Sequence, residues 1–243
     1  MKSLTILLLL LSIPVLSLPA FAATLTLRGG VAVEQSGDTT VADRDCTSTA
    51  PPALFGCGID ARGDLGSVHA FDLAVGTSSP RARIELAFTH RDLALAASAN
   101  FTGVRGPQPV RADGTSRALM VNGYWSCPHG DLQPFVFAGA GLARNELEAV
   151  TYGFPSIGAN AVTITRGGAS QGFAWNAGAG VSLRMSESLF VDVALRYTDL
   201  GDFETDAGPA QIIRPTRTLL LDIDGTRATA ETAGVAITLR WVR

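Results

Sequence analysis

Three histidines, three cysteines and a scatter of arginines and carboxylates are the side chains of this chain able to do chemistry. His69, His90 and His129 are the natural acid–base candidates, because imidazole changes charge near neutral pH. Arg91 and Asp92 follow His90 directly, and a His, an Asp and a serine at one rim would suit acyl transfer or deacylation of a lipid. No G-x-S-x-G or equivalent nucleophile signature accompanies them, so the histidines read as rim polarity and the chain as a non-enzyme. Cys46 and Cys57 share one loop, which in an exported chain favours a disulfide. Asp45 is the only obvious hard metal ligand near them and no histidine is close, so metal binding is poorly supported. Cys127 is left over beside Pro128 and reads as an incidental free thiol. Gly29-Gly30 and the Gly178/Gly180 pair lack a following helix pattern, and without one the phosphate-cradling mechanism is missing. Asp199, Asp202, Glu204 and Asp206 read as a solvated acidic loop, with cation-bridged lipopolysaccharide contact as the sharper alternative. No cofactor is expected.

The remaining charges are informative through their parity. From Gly172 to Leu200, Phe173, Trp175, Ala177, Ala179, Val181 and Leu183 alternate with small or polar residues. Met185-Ser186-Glu187-Ser188 turns the chain, and Leu189, Val191, Val193, Leu195 and Tyr197 then alternate with Asp192, Ala194, Arg196 and Thr198. Period-two alternation of this length predicts two half-buried strands. The polar side carries small residues and isolated charges, which suits the lumen of a narrow membrane-spanning barrel.

The same pattern recurs along the chain. A first strand is predicted over Thr24–Gln35, with Leu25, Leu27, Val31 and Val33 outward, followed by a polar loop over 36–67. The second strand is Val68–Thr77, and the third starts at Ala82, its apolar continuation to Phe101 losing clean alternation. A loop over 103–114 leads to the fourth strand, Ser116–Ser126. The fifth, Gln133–Asn145, is apolar or glycine throughout, so periodicity does not assign its faces. Loops over 147–171 and 201–228 flank the hairpin, although Thr218–Ile223 could extend the sheet. The last strand is Glu231–Val242. Short connections at 78–80, 127–132 and 185–188 alternate with four long ones, placing the short turns on the side of both termini.

This layout predicts an all-β, closed, antiparallel, up-and-down transmembrane β-barrel of eight strands, with ten as the alternative. Eight spans of about 10 residues leave roughly 140 for turns and outer loops. Arg28, Glu34, Asp72, Arg83, Glu85, Arg184, Asp192, Arg196 and Arg240 then face the lumen, with opposite signs on neighbouring strands. An eight-stranded interior is just wide enough for side chains to fill, so a structural network of salt bridges is expected over an ion or proton path. Trp125, Phe135 and Trp241 fall at the periplasmic membrane interface, and Phe173, Trp175 and Tyr197 at the outer one.

The N-terminus agrees independently. Met1-Lys2, the apolar run Leu4–Leu16 and Ala20-Phe21-Ala22 follow the order of a secretory signal, so residues 1–22 are expected to be removed, leaving 23–243 as the barrel domain. The apolar run is shorter than the ~20 residues of a spanning helix. Lys2 is the only lysine, so its loss takes the formal charge from −3 to −4. That mild acidity argues against nucleic acid as a partner.

The segments Gln133–Asn145, Phe173–Val181 and Leu195-Arg196-Tyr197-Thr198-Asp199-Leu200-Gly201 resemble the fifth, sixth and seventh strands of small porin-like outer-membrane β-barrel proteins. The last of these matches the family's R-Y-x-D-L-G ending. The resemblance extends loosely over the mature chain and is good over 117–201. The family usually finishes on an aromatic residue, whereas this chain finishes Arg240-Trp241-Val242-Arg243. The resemblance implies an eight-stranded, monomeric or weakly associated barrel in contact with outer-membrane lipid and lipopolysaccharide. It also implies a role in envelope integrity or in contact with surface or host ligands through long loops. A narrow channel for small solutes or ions is the second reading, and a lipid A-modifying enzyme the third.

Overall fold

The computed structural model describes residues 24–44, 61–101, 104–127 and 130–243. The proposed signal segment, Cys46, Cys57 and His129 lie outside them. One sheet holds β1 (Thr24–Ser36), β2 (Thr39–Asp43), β3 (Ala61–Asp64), β4 (Ser67–Ser78), β5 (Ala82–Ala99), β6 (Gln108–Ser126) and β7 (Leu132–Leu147). It continues with β8 (Thr151–Gly153), β9 (Val162–Ile164), β10 (Gly168–Arg184), β11 (Leu189–Glu204), β12 (Gly208–Arg214), β13 (Arg217–Ile223) and β14 (Thr226–Val242).

Eight of these strands make the barrel. β1, β4, β5, β6, β7, β10, β11 and β14 pair antiparallel in chain order. β1 also pairs with β14, from Thr26↔Val242 to Ser36↔Thr232, and so closes the ring at eight, not ten. Closure is what hydrocarbon demands, because no water is present there to satisfy an open edge. The outward residues of every strand form an aliphatic belt, with Val31, Leu142 and Leu195 each at least 60% exposed.

The predicted loops contain more sheet than expected. Inside 36–67, β2 and β3 pair with each other and insert between β14 and β5, where β1 and β4 have ended. β6 begins at Gln108, inside the stretch predicted as loop. Residues 147–171 contain β8 and β9, and 201–228 contain the β12–β13 hairpin, which includes Thr218–Ile223. The barrel therefore rises beyond the membrane as a β-built turret.

β5 shows why alternation is hard to follow there. Arg83, Glu85, Thr89 and Arg91 point inward, and so do Leu93, Leu95 and Ala99 further along. Outward residues run from Ile84, Leu86 and Phe88 to His90, Asp92 and Ser98. The parity never changes; the polarity inverts. Below the crossover lipid surrounds the barrel, and above it water does, so apolar residues move from the outside to the inside.

β7 is illegible for a different reason. Its inward residues include Phe135, Phe137, Gly139 and Gly141, so both faces are apolar. The glycines make room: a Cβ on Gly139 would collide with the Asn122 side chain, and one on Gly178 with the ring of Phe137. Gly201, at φ +74°, sits in the register shift of β11 between Asp199 and Asp202, a backbone conformation that favours glycine.

Candidate functional site: a lumen in two storeys

The inward side chains of the membrane-spanning part assemble two ion-pair clusters. In the first, Arg28 Nε donates to Glu85 at 2.8 Å, and Arg83 lies 3.1 Å from the same carboxylate. Arg83 Nη1 also reaches Asp192 at 3.0 Å, and Arg240 Nε reaches it at 3.1 Å. Ser182 Oγ donates to Asp192 at 2.6 Å. Arg83 lies 3.8 Å from the ring centroid of Tyr124, and Arg240 lies 4.2 Å from that of Phe190. Each guanidinium thus sits over a π-face, a favourable cation–π geometry.

In the second cluster Arg196 bridges two carboxylates, with Nη1 2.7 Å from Asp72 and Nε 2.8 Å from Glu34. Glu34 also accepts from Arg91 Nε at 2.9 Å and Thr232 Oγ1 at 2.8 Å. Thr89 Oγ1 donates to Asp72 at 2.6 Å. The carboxylates and guanidiniums are nearly water-free, so every charge depends on its partners. An unpaired ion in such a place costs several kcal/mol.

Above Arg91 the lumen turns apolar. Val68, Leu93, Leu95, Val110, Ala112, Tyr152, Leu200 and Phe203 form one buried cluster, which Phe101 and Val104 help to cover. Phe101 packs against the rings of Tyr152 and Phe154 at 5.9 and 5.3 Å. Burial raises the Tyr152 phenol well above its ordinary pKa. Within the charged storey a cavity of about 30 Å³ remains, lined by Arg28, Asp72, Arg83, Tyr124, Asn176 and Asp192 among others. It has room for a water molecule or two, not for a solute.

Eight of the nine charges expected in the lumen are there: Arg28, Glu34, Asp72, Arg83, Glu85, Asp192, Arg196 and Arg240. Arg184 is not. It has the inward parity but ends β10 at the barrel mouth, exposed to water, with its guanidinium 5.7 Å from the Phe190 ring. Arg91 is a member that the sequence places only beside the rim histidines. It shares the parity of Arg83 and Glu85, and that was the available signal.

Of the interface aromatics, Trp125, Phe173, Trp175, Tyr197 and Trp241 lie on the outer surface. Trp175 donates to Asp199 at 3.1 Å and packs on Tyr197. Phe135 is a correction: it is buried in the lumen against Tyr124, because the apolar composition of β7 hides its parity.

His69 and His90 face outward, and His90 Nε2 lies 3.3 Å from Asp92. The acidic stretch is strand as far as Glu204, and Arg227 answers Glu204 at 2.8 Å and Asp202 at 3.6 Å. Cys127 is exposed with a free thiol. Among the described residues no three His, Cys, Asp or Glu side chains converge as a metal site.

Comparison with known proteins agrees with this architecture. No curated protein matches the chain. Among solved structures it is similar to the outer membrane protein OprG from Pseudomonas aeruginosa, at 13% identity and TM-score 0.51, covering 92% of this chain and 97% of that one. The outer membrane protease OmpT from Escherichia coli aligns at 8% identity and TM-score 0.45, covering 91% and 96%. Neisserial surface protein A aligns at 11% identity and TM-score 0.43, covering 88% and 96%. The family model for the outer membrane protein beta-barrel domain matches residues 8–211. With that match running over most of its length, the chain belongs to this outer-membrane β-barrel family and resides in the bacterial outer membrane.

Proposed function

We propose that this protein is a non-enzymatic, non-conducting barrel that anchors a rigid turret in the outer membrane and acts through the turret's surface. The two-storey filling of the lumen carries this reading. A hydrated ion would have to displace paired buried charges and then pass an apolar cluster that includes Tyr152 and Phe203. Both steps oppose conduction, so the exterior is what the fold offers to its surroundings.

The surface most suited to contact is the β12–β13 hairpin. Leu219, Leu220 and Leu221 are exposed on β13, Leu220 at 76%. Among the described residues β13 pairs with β12 alone and ends its row of strands, leaving its other edge without a strand partner there. Exposed apolar edges of this kind mark interaction sites. Planar-bilayer recording tests the lumen: current should stay at the lipid background, and discrete steps from the folded protein would replace this reading with a channel. Lipid A mass spectrometry from cells with and without the protein should give identical spectra.

A further inference from the structure

The outward face of β5, β6, β7 and β10 carries an ordered transition at the upper edge of the apolar belt. Phe88, Leu119, Leu142 and Phe173 lie opposite one another across these four strands, and all are exposed. Two residues higher in the same register stand His90, Arg117, Arg144 and Gln171. Two residues of strand span about 6.6 Å, so this row stands at headgroup level when the row beneath it meets acyl chains.

Arg117 and Arg144 are direct cross-strand neighbours, a position where like charges repel. Glu146 takes the Nε of Arg144 at 2.7 Å, and Asp92 takes His90. Arg117 has no ion-pair partner among the described residues. Thr115 and the carboxylates of Asp92 and Glu146 form the next row up. β11 and β14 are different in kind: Asp199 and Glu231 are paired across them, and Arg227 is met by Asp202 and Glu204.

We propose that Arg117 and Arg144 bind the phosphate group of an acylated, phosphorylated lipid of the outer leaflet, with Gln171 and His90 flanking it. Two adjacent guanidiniums match phosphate oxygens in a forked geometry. The anion removes their mutual repulsion. The row Phe88–Leu119–Leu142–Phe173 then receives the acyl chains of the same molecule, which free phosphate lacks. The carboxylates on β11 and β14 give no such site, so lipid ordering is confined to the face formed by β5, β6, β7 and β10.

Native mass spectrometry of the folded barrel in nonionic detergent tests this, with diphosphoryl lipid A, dephosphorylated lipid A and inorganic phosphate as probes. The Arg117→Gln/Arg144→Gln protein should bind diphosphoryl lipid A on the order of thirtyfold more weakly, each arginine being worth about fivefold at a charged membrane surface. Arg111→Gln, an exposed arginine about 20 Å higher on β6, should bind as the unaltered protein does. Dephosphorylated lipid A should not distinguish the three proteins. Equal binding of diphosphoryl lipid A by the double variant overturns the proposal. So does an equal loss in Arg111→Gln, which would reveal bulk charge, or displacement of the lipid by equimolar inorganic phosphate. All substituted side chains are exposed, and retention of the heat-modifiable band on gels verifies the fold of each variant.

Discussion

Glu34→Gln is the substitution that most sharply tests the reading of the lumen as a structural network. Glu34 is buried and holds Arg91, Arg196 and Thr232 at once. The amide keeps the shape and removes the charge. Arg196 retains Asp72 at 2.7 Å, but Arg91 loses the only carboxylate that pairs with it among the described residues and is left with neutral acceptors, the new amide oxygen and the Thr198 hydroxyl at 3.3 Å. Stranding one buried charge costs about 3–5 kcal/mol. A second substitution, Arg91→Met, should recover most of that loss. It removes the stranded charge, and the next inward residue on β5 is Leu93 of the apolar storey, so a methionine extends a core already there. Urea unfolding of protein refolded in lipid vesicles measures both variants, with tryptophan emission as the signal. Glu34→Gln should unfold at clearly lower urea, and the double variant should return toward the original midpoint. An unchanged midpoint for Glu34→Gln, or a double variant less stable than either single one, would refute the idea that Arg91 depends on Glu34.

Neighbouring residues on β11 test the two faces. Val193→Arg puts a charge on the lipid side near mid-bilayer at a cost of about 2–4 kcal/mol and should strongly lower refolding yields into vesicles. Asp192→Asn should fold but lose stability, because Arg240 loses the only carboxylate that pairs with it among the described residues whereas Arg83 keeps Glu85. The reverse order of effects would mean that the faces are exchanged. Peptide mapping of unreduced protein should find Cys46 joined to Cys57 and Cys127 free. Cys127 paired with either would contradict the placement of the first loop and the β6–β7 turn at opposite ends of the barrel. If the exposed leucines of β13 are the contact surface, replacing Leu219, Leu220 and Leu221 by serine should lower the binding of barrel-bearing cells to apolar surfaces without altering heat modifiability; unchanged binding would move the contact surface elsewhere.

What the sequence reveals of the barrel is set by where the chain meets lipid. Leu25, Leu27, Val31 and Val33 on β1, or Val235, Ile237 and Leu239 on β14, face hydrocarbon and oppose polar neighbours, so a period of two survives in the residue types. Strand direction, short turns and eight of the nine lumenal charges follow from that one signal. It fails where the lumen is apolar as well. Phe135 then looks like a lipid-facing aromatic, and only the register of β7 against β6 and β10 shows that it and Phe137 fill space opposite Gly180 and Gly178.

The crossover row is the harder lesson. At His90–Arg91–Asp92 the parity passes unbroken from a membrane rule to a soluble rule, so a fixed expectation of apolar-out assigns Arg91 to the rim and leaves the end of β5 undefined. Parity is a property of the backbone and polarity a property of the surroundings. Only the first is continuous through Gln108–Asp113 and Leu93–Ala99, where arginine, aspartate and serine face water while Val110, Ala112 and Leu95 close over the ion pairs below. The same crossover puts Arg117 and Arg144 outside, one step above Leu119 and Leu142, where the apolar belt of their strands gives way to charged residues. Sealing the lumen and engaging the headgroup layer are thus two consequences of one reversal in polarity, and shifting either row by one residue would undo both.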